Sequence, residues 1–256
     1  MPTEAPWVAR AAATESAAPG PDRLVGTYAE VRATLAFQVR PGVLRDRLPE
    51  EWQLVAIEGS AGAAVSLVVV EQLALTTAKG ESGPVTQVAT LSCPVLRDGS
   101  NVPITAVLGG FSPSPSYVPG AYGNFELARA FIERVNCIDP SGASHAHELW
   151  DYRGDGGDGL ILELEYARQP PVLRHRTAMI CSAAKPGLYR RYEIDEAVDI
   201  VFNRRSAVDR TSHYALKVLG GRLAEILDGS HELISISVSP WYMRQVFIAT
   251  SPELPS

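Results

Sequence analysis

Val65, Ser66, Leu67, Val68, Val69, Val70, Glu71, Gln72, Leu73, Ala74 and Leu75 form an almost unbroken apolar run, rich in β-branched residues, that holds a single carboxylate, Glu71. A run of this kind is the signature of a strand covered on both faces. Glu71 is therefore expected to be buried or to line a cavity. On the N-terminal side, Val31, Ala33, Leu35, Phe37 and Val39 alternate with Arg32, Thr34, Ala36 and Gln38, the period of a half-buried strand, and Pro41-Gly42 ends it. Residues 43–48 space apolar positions at helical intervals before Pro49, which predicts a short helix, and a further strand is expected near Trp52.

On the C-terminal side, residues 86–95 and 102–108 read as strands separated by the turn Arg97-Asp98-Gly99-Ser100-Asn101. A proline-bearing loop follows, with Pro113, Pro115 and Pro119. Residues 124–136 are predicted to be a helix with Asn124 as N-cap, because Leu127, Ala128, Phe131, Ile132 and Val135 share one helical face. Residues 145–152 and 160–166 read as a hairpin closed by Gly154-Asp155-Gly156-Gly157-Asp158-Gly159. Later strands are expected at 198–202, 233–238 and 245–249, while residues 212–227 could be a strand plus a helix broken at Gly220-Gly221. Strands outnumber helices without βαβα alternation. The expectation is a mainly β (α+β) chain forming a closed, mostly antiparallel barrel with flanking helices. Residues 23–256 would be one domain behind a disordered Ala- and Pro-rich tail, residues 1–22.

The chain has 256 residues, 46% hydrophobic and 20% charged, with a formal net charge of -6. That balance offers no basic footprint for nucleic acid or an anionic membrane surface. The apolar stretch 61–70 falls well short of the roughly 20 residues that span a bilayer, and Glu4 stands where a secretory signal carries positive charge. No membrane partner is expected, and a cytoplasmic location is. Cys93, Cys137 and Cys181 have neither disulfide nor zinc spacing and read as small buried residues. Only three lysines occur, Lys79, Lys185 and Lys217, which limits where amine chemistry could reside.

Gly154, Gly156 and Gly159 match G-x-G-x-x-G literally, yet this loop leads into a strand and carries Asp155 and Asp158, which would repel a pyrophosphate. A plain turn is the reading preferred. His145 and His147 share a strand face and could supply two metal ligands or simply lie at a solvated edge, so no metal and no cofactor is assigned. Arg174 and Arg176 could grip a carboxylate or point to solvent.

The segment Phe37-Gln38-Val39-Arg40-Pro41-Gly42-Val43-Leu44-Arg45-Asp46-Arg47-Leu48-Pro49-Glu50, followed by the apolar strand with Glu71, resembles the opening of the acetoacetate decarboxylase superfamily. Glu126-Leu127 and Asp151-Tyr152 can be laid on the family's central pattern in one gapless register, so the likeness spans residues 30–166. It implies a closed barrel around an apolar cavity, and subunits that assemble as a homo-oligomer. It also implies a Schiff-base lysine, but in this register that lysine falls on Ile132, its neighbour on Glu133, and the substrate-facing arginine on Gln38. The family's carboxylate is matched by Glu71. Of the lysines, only Lys217, on the alternation of His213, could point inward as a displaced replacement.

The resemblance thus implies an enzyme acting on a small oxo-acid or polyketide-like carbonyl compound without covalent lysine chemistry. Glu71 would be the general base, its pKa raised in an apolar site, with Gln38 donating to the enolate oxygen and Glu126, Arg129 and Ile132 lining the substrate pocket. The alternative is a non-catalytic protein that keeps the cavity for a hydrophobic ligand.

Overall fold

The apolar run is the heart of strand β3 (Ala63–Thr77) in the computed structural model, which describes residues 22–97, 99–113 and 122–249. Val65, Leu67 and Val69 are fully buried on one face, and Ala64 and Val70 are buried on the other. Covering of both faces stops there, since Leu73 is 54% exposed. All but one residue of the expected tail (residues 1–22), together with Pro115 and Pro119, lies outside the described residues.

Around β3 the chain runs β1 (Arg23–Val39), α1 (Gly42–Arg45), β2 (Gln53–Leu54), then β4 (Gln87–Leu96) and β5 (Ile104–Ser112). It continues through β6 (Phe125–Ile138), β7 (Ser144–Gly154), β8 (Gly159–Ala167), β9 (Val172–Ser182) and β10 (Tyr189–Asn203). The last elements are β11 (Val208–Asp209), β12 (Thr211–Leu219), α2 (Gly221–Ile226) and β13 (Glu232–Ile248). The fold is therefore mainly β. Pairings pass from β4 through β5, β9, β10, β13, β1 and β3 and return to β4, while β6, β7, β8 and β12 extend from β5 as a second arm. Every pairing is antiparallel except those of β5 with β6 and with β9.

Register explains the core. Leu35 lies opposite Leu67, which lies opposite Leu91, and Ala33, Val69 and Ala89 form the next row. Side chains in such rows share a face and pack directly. One contiguous cluster joins them to Trp150 of β7 and to Leu160, Leu162 and Leu164 of β8. No helix among the described residues is long and apolar enough to cross a membrane.

Three expectations need correction. Residues 124–136 are not a helix but strand β6, paired with β7 from Ala128 opposite Gly154 to Ile138 opposite Ser144. Leu127, Phe131 and Val135, which a helix would have buried, are 57%, 57% and 42% exposed, whereas the interleaved Ala128, Ala130 and Ile132 face the core. The apolar residues sit on both parities of the strand, and this imitates a helical stripe. Residues 233–238 and 245–249 are one strand, β13, that passes through Pro240. The register shifts there against both neighbours, between Glu30 and Arg32 and between Ala197 and Asp199, and a bulge is where a sheet tolerates proline. Cys137 is exposed, while Cys93 and Cys181 are buried, and burial pushes the Cys93 thiol up to about 12.

At residues 212–227 the strand-plus-helix reading holds. β12 gives way to α2 at Gly220 and Gly221, whose φ angles of 62° and 66° suit glycine.

The two ends of β3 should respond differently to mutation. Leu67→Ala is expected to lower unfolding free energy by about 2–5 kcal/mol, and Leu73→Ser to change it by less than about 0.5 kcal/mol, as read by urea denaturation.

Candidate functional site

A cleft of about 480 Å³ opens between β4, β5 and the two short helices. Leu91, Leu108, Leu223 and Ile226 form its apolar wall, and Asn124 and Arg222 enter it as polar groups. The volume falls within the range of small-molecule sites, and the lining mixes those apolar side chains with Asp46, Arg47 and Glu225. Local sequence explains the construction. Gly220-Gly221 breaks β12 and starts α2, whose apolar Leu223 and Ile226 turn inward and whose Arg222 and Glu225 reach the cleft. Arg47, just beyond α1, bridges to Glu225 and ties the two helices together across the rim.

Asn124 is 5% exposed. Its Nδ2 donates to the Val107 carbonyl at 2.8 Å, while its Oδ1 has no partner among the described residues. A buried amide oxygen left open costs free energy unless something in the cleft donates to it. Two residues on, Glu126 borders Arg222, and its carboxyl is pushed up by desolvation and by Asp158, against the pull of Arg222. A Cβ on Gly221 would lie 3.2 Å from Asp158 Cγ and 3.4 Å from Glu126 Oε2, so the glycine leaves room for two carboxylates to converge. The hairpin loop that mimics a nucleotide motif thus closes a turn, with Gly154 donating to the Asp158 carbonyl, and delivers Asp158 to this place.

The structure does not gather the residues singled out from sequence. Glu71 is neither buried nor in the cleft: its side chain is 28% exposed and accepts a 2.5 Å hydrogen bond from Arg134. Gln38 pairs with Ala64 and Glu71 with Val31, seven residues along an unbroken ladder, or roughly 23 Å at about 3.3 Å per residue. An odd separation also puts them on opposite faces. Gln38 is held by Ser60, whose Oγ donates to Gln38 Oε1 at 2.9 Å. Ile132 packs against the core and lies opposite Trp150. Arg129 is 89% exposed and 3.8 Å from Asp155, three residues along a strand from Glu126, so the two do not form a pair. Lys217 is exposed on the outer parity of β12, not directed inward.

None of the expected site residues lines the cleft; Glu126 lies beside Gly221, which adjoins the cleft's Arg222. Asn124, Asp158 and Arg222 escaped sequence reasoning. The signal available was the Gly-Gly before Arg222, a pair that leaves backbone space. The candidate ligands elsewhere have protein partners: His147 lies 3.2 Å from Glu165, His145 3.6 Å from Asp139, and Arg176 donates to Glu196 at 2.9 Å.

Two further buried carboxylates carry opposite electrostatics. Glu30 is 1% exposed, accepts from Arg32 Nε at 2.7 Å and lies 2.8 Å from Arg244 Nη2. Desolvation alone would raise its pKa, but the two guanidinium groups outweigh it and hold the carboxyl below its ordinary range. Glu148 lines a smaller cavity of about 140 Å³ and accepts from Tyr166 Oη at 2.8 Å and Trp150 Nε1 at 3.0 Å. Here desolvation prevails over those donors, and the pKa is raised.

No protein-family profile matches the sequence, and no curated protein matches it either. Solved structures do match in shape. An acetoacetate decarboxylase-like enzyme from Sphingomonas wittichii RW1 superposes with a TM-score of 0.53 at 11% identity, covering 90% of this chain and 92% of that one. The enduracididine biosynthesis enzyme MppR, with HEPES buffer bound, gives a TM-score of 0.51 at 12% identity over 91% of this chain and 90% of its own. The chain has the acetoacetate decarboxylase-like fold.

The two glutamates predict opposing pH effects on stability. Glu30, with a depressed pKa, stabilises the fold above the ordinary carboxylate pKa of about 4.3, and this is lost as pH falls through its folded value. Glu148, with a raised pKa, contributes below that range and loses its contribution as pH rises through its folded value. Denaturation across pH should show a shallower acid decline for Glu30→Gln, from a lower plateau, and a shallower decline towards neutral pH for Glu148→Gln.

Proposed function

We propose, from the acetoacetate decarboxylase-like fold, that the chain is a cytoplasmic enzyme acting on a small oxo-acid or polyketide-like carbonyl compound by acid/base chemistry of lyase or isomerase type. In this reading the ring of strand pairings is a closed barrel, and the cleft beside α2 is where substrate binds. The observation that carries the proposal is the convergence of Glu126 and Asp158 on Gly221, next to Arg222 of a cleft also lined by Asn124, whose buried amide oxygen has no partner among the described residues.

The chemistry follows from the groups. The substrate's carbon chain lies against Leu91, Leu108 and Leu223, and its carbonyl oxygen faces Arg222. Glu126, its basicity raised by desolvation and Asp158, takes the proton from the carbon next to the carbonyl. The C–H electron pair becomes the carbon–carbon double bond of an enolate, and the charge on oxygen is met by the guanidinium. Where the substrate has a β,γ double bond the enolate is a dienolate, and return of the proton to its γ-carbon moves the double bond and isomerises the substrate; departure of a β-substituent with the electron pair completes an elimination. The general base assigned from sequence to Glu71 passes in this proposal to Glu126. No imine is required, which fits a chain whose resemblance to the family sets Ile132 where the lysine is expected.

Deuterium incorporation next to the carbonyl of pyruvate and longer 2-oxo acids, followed by NMR, tests the reading. Glu126→Gln should lower the exchange rate roughly 100- to 10,000-fold with little change in binding, and wild-type exchange should rise with pH through the raised Glu126 pKa. Intact mass after borohydride treatment with acetoacetate or pyruvate should be unchanged. An adduct on Lys185, whose side chain lies against Gly123 beside Asn124, would overturn the non-covalent mechanism. Binding of these acids without exchange would overturn the enzyme reading in favour of a ligand-binding protein.

A further inference from the structure

The smaller cavity, of about 140 Å³, lies where the second arm meets β1, β10 and β13, and it shares no lining residue with the cleft. A bulge contributes to it. β13 carries two residues, Pro240 and Trp241, where β1 carries one, Val31, and both Val31 and Pro240 line the cavity. Bulges bend their strand and recur beside functional sites. Val31 and Val238 are buried in the interior, while Asn136 is exposed at the mouth.

Four charged side chains line this cavity, and three of them are occupied. Arg134 donates to Glu71 at 2.5 Å, and Asp199 is bridged by Arg210. Glu148 accepts from Tyr166 and Trp150, and desolvation pushes its carboxyl up towards the uncharged form. Arg168 has neither an ion pair nor a side-chain hydrogen bond among the described residues. Its backbone is nevertheless fixed. The Ala167 N–H donates to the Arg210 carbonyl at 2.9 Å, the Arg168 N–H to the Ser144 carbonyl at 2.8 Å and the Gln169 N–H to Asp199 Oδ2 at 3.1 Å. Pro170 and Pro171 restrict the chain beyond. A guanidinium on an anchored backbone, lining a cavity with no carboxylate to meet it, is prepared for an anion.

We propose that this cavity is a second binding site, separate from the cleft, for a short-chain saturated monocarboxylate. The carboxylate meets the Arg168 fork and the Asn136 amide at the mouth, and the alkyl chain lies inward against Val31 and Val238. Volume sets the chain length. A cavity of about 150 Å³ takes up benzene, so this one has room for about six non-hydrogen atoms, enough for propionate or butyrate. Charge sets the class. A cation would face the unpaired Arg168, and a dianion such as phosphate would face Glu148 and Asp199 with one free guanidinium to neutralise it. The site asks for no carbonyl group on its ligand and does not rest on the enzyme reading of the cleft.

Titration calorimetry of the full chain with propionate and butyrate tests the site. Both should bind, and propionamide, of the same size but uncharged, should bind at least about tenfold more weakly. Arg168→Gln should weaken propionate by at least about tenfold in dissociation constant, and Asn136→Ala by about two- to tenfold. Arg168→Lys, which keeps the charge and loses the fork, should fall between the wild type and Arg168→Gln. Arg222→Gln, in the cleft, should leave propionate binding unchanged. A wild type that binds neither acid at millimolar concentration would overturn the proposal. Binding that Arg222→Gln abolishes and Arg168→Gln spares would overturn it as well, by placing the acids in the cleft, and would leave the enzyme reading intact. Circular dichroism of each variant separates a lost site from a lost fold.

Discussion

Glu30 has no access to water, and its charge survives inside the protein because Arg32 and Arg244 flank it. Burying an isolated carboxylate costs several kcal/mol in effective terms, so the group needs both guanidinium partners. Those partners are fixed in turn by aromatic rings. The Arg32 guanidinium carbon lies 3.6 Å from the Tyr242 ring centroid, and that of Arg244 lies 4.8 Å from Tyr28 and 4.7 Å from Tyr192. Three adjacent strands, β10, β13 and β1, contribute to this one network. It forms where β13 slips register against its neighbours, so the charges meet at the point where the hydrogen-bond ladder is weakest.

From there a chain of contacts leads to the cleft. The Tyr192 hydroxyl lies 2.6 Å from that of Tyr122, and Ser182 Oγ donates to the Tyr122 carbonyl at 2.5 Å. Tyr122 precedes Asn124 by two residues and Glu126 by four. The segment that enters β6 is thus anchored on the buried polar cluster before it delivers Asn124 to the cleft and the Glu126 carboxylate to Gly221. Rigid strands supply one wall of the cleft, and α2, only six residues long, supplies the other.

Much of the strand pattern was legible because alternation over one buried face is a local property. Residues 31–39 and 160–166 show it plainly, and β1 and β8 follow. β6 was misread because Leu127, Phe131 and Val135 are apolar on the exposed parity, where a solitary sheet face would be polar. β13 was misread as two strands because Pro240 reads locally as a stop, whereas a register shift on both sides accommodates it. The site was less legible, for a different reason. Asn124, Asp158 and Arg222 come from three distant segments, and no spacing connects them. Glu71 reads as a buried group because its neighbours are apolar, but its partner Arg134, sixty-three residues away, meets it where that strand is partly exposed.

The misreading of β6 and the placement of the site share one cause. β6 serves two roles in succession: its first three residues complete the ladder to β5 and place Glu126, and the remainder leaves that ladder to join β7. Leu127 is already exposed while paired with β5, so the parity it shares with Phe131 and Val135 faces outward from the start of the strand. Each part of the strand is therefore paired with a single neighbour, β5 over residues 125–127 and β7 over residues 128–138. One strand thus sets the Glu126 carboxylate beside Gly221 and hands the sheet over from β5 to β7.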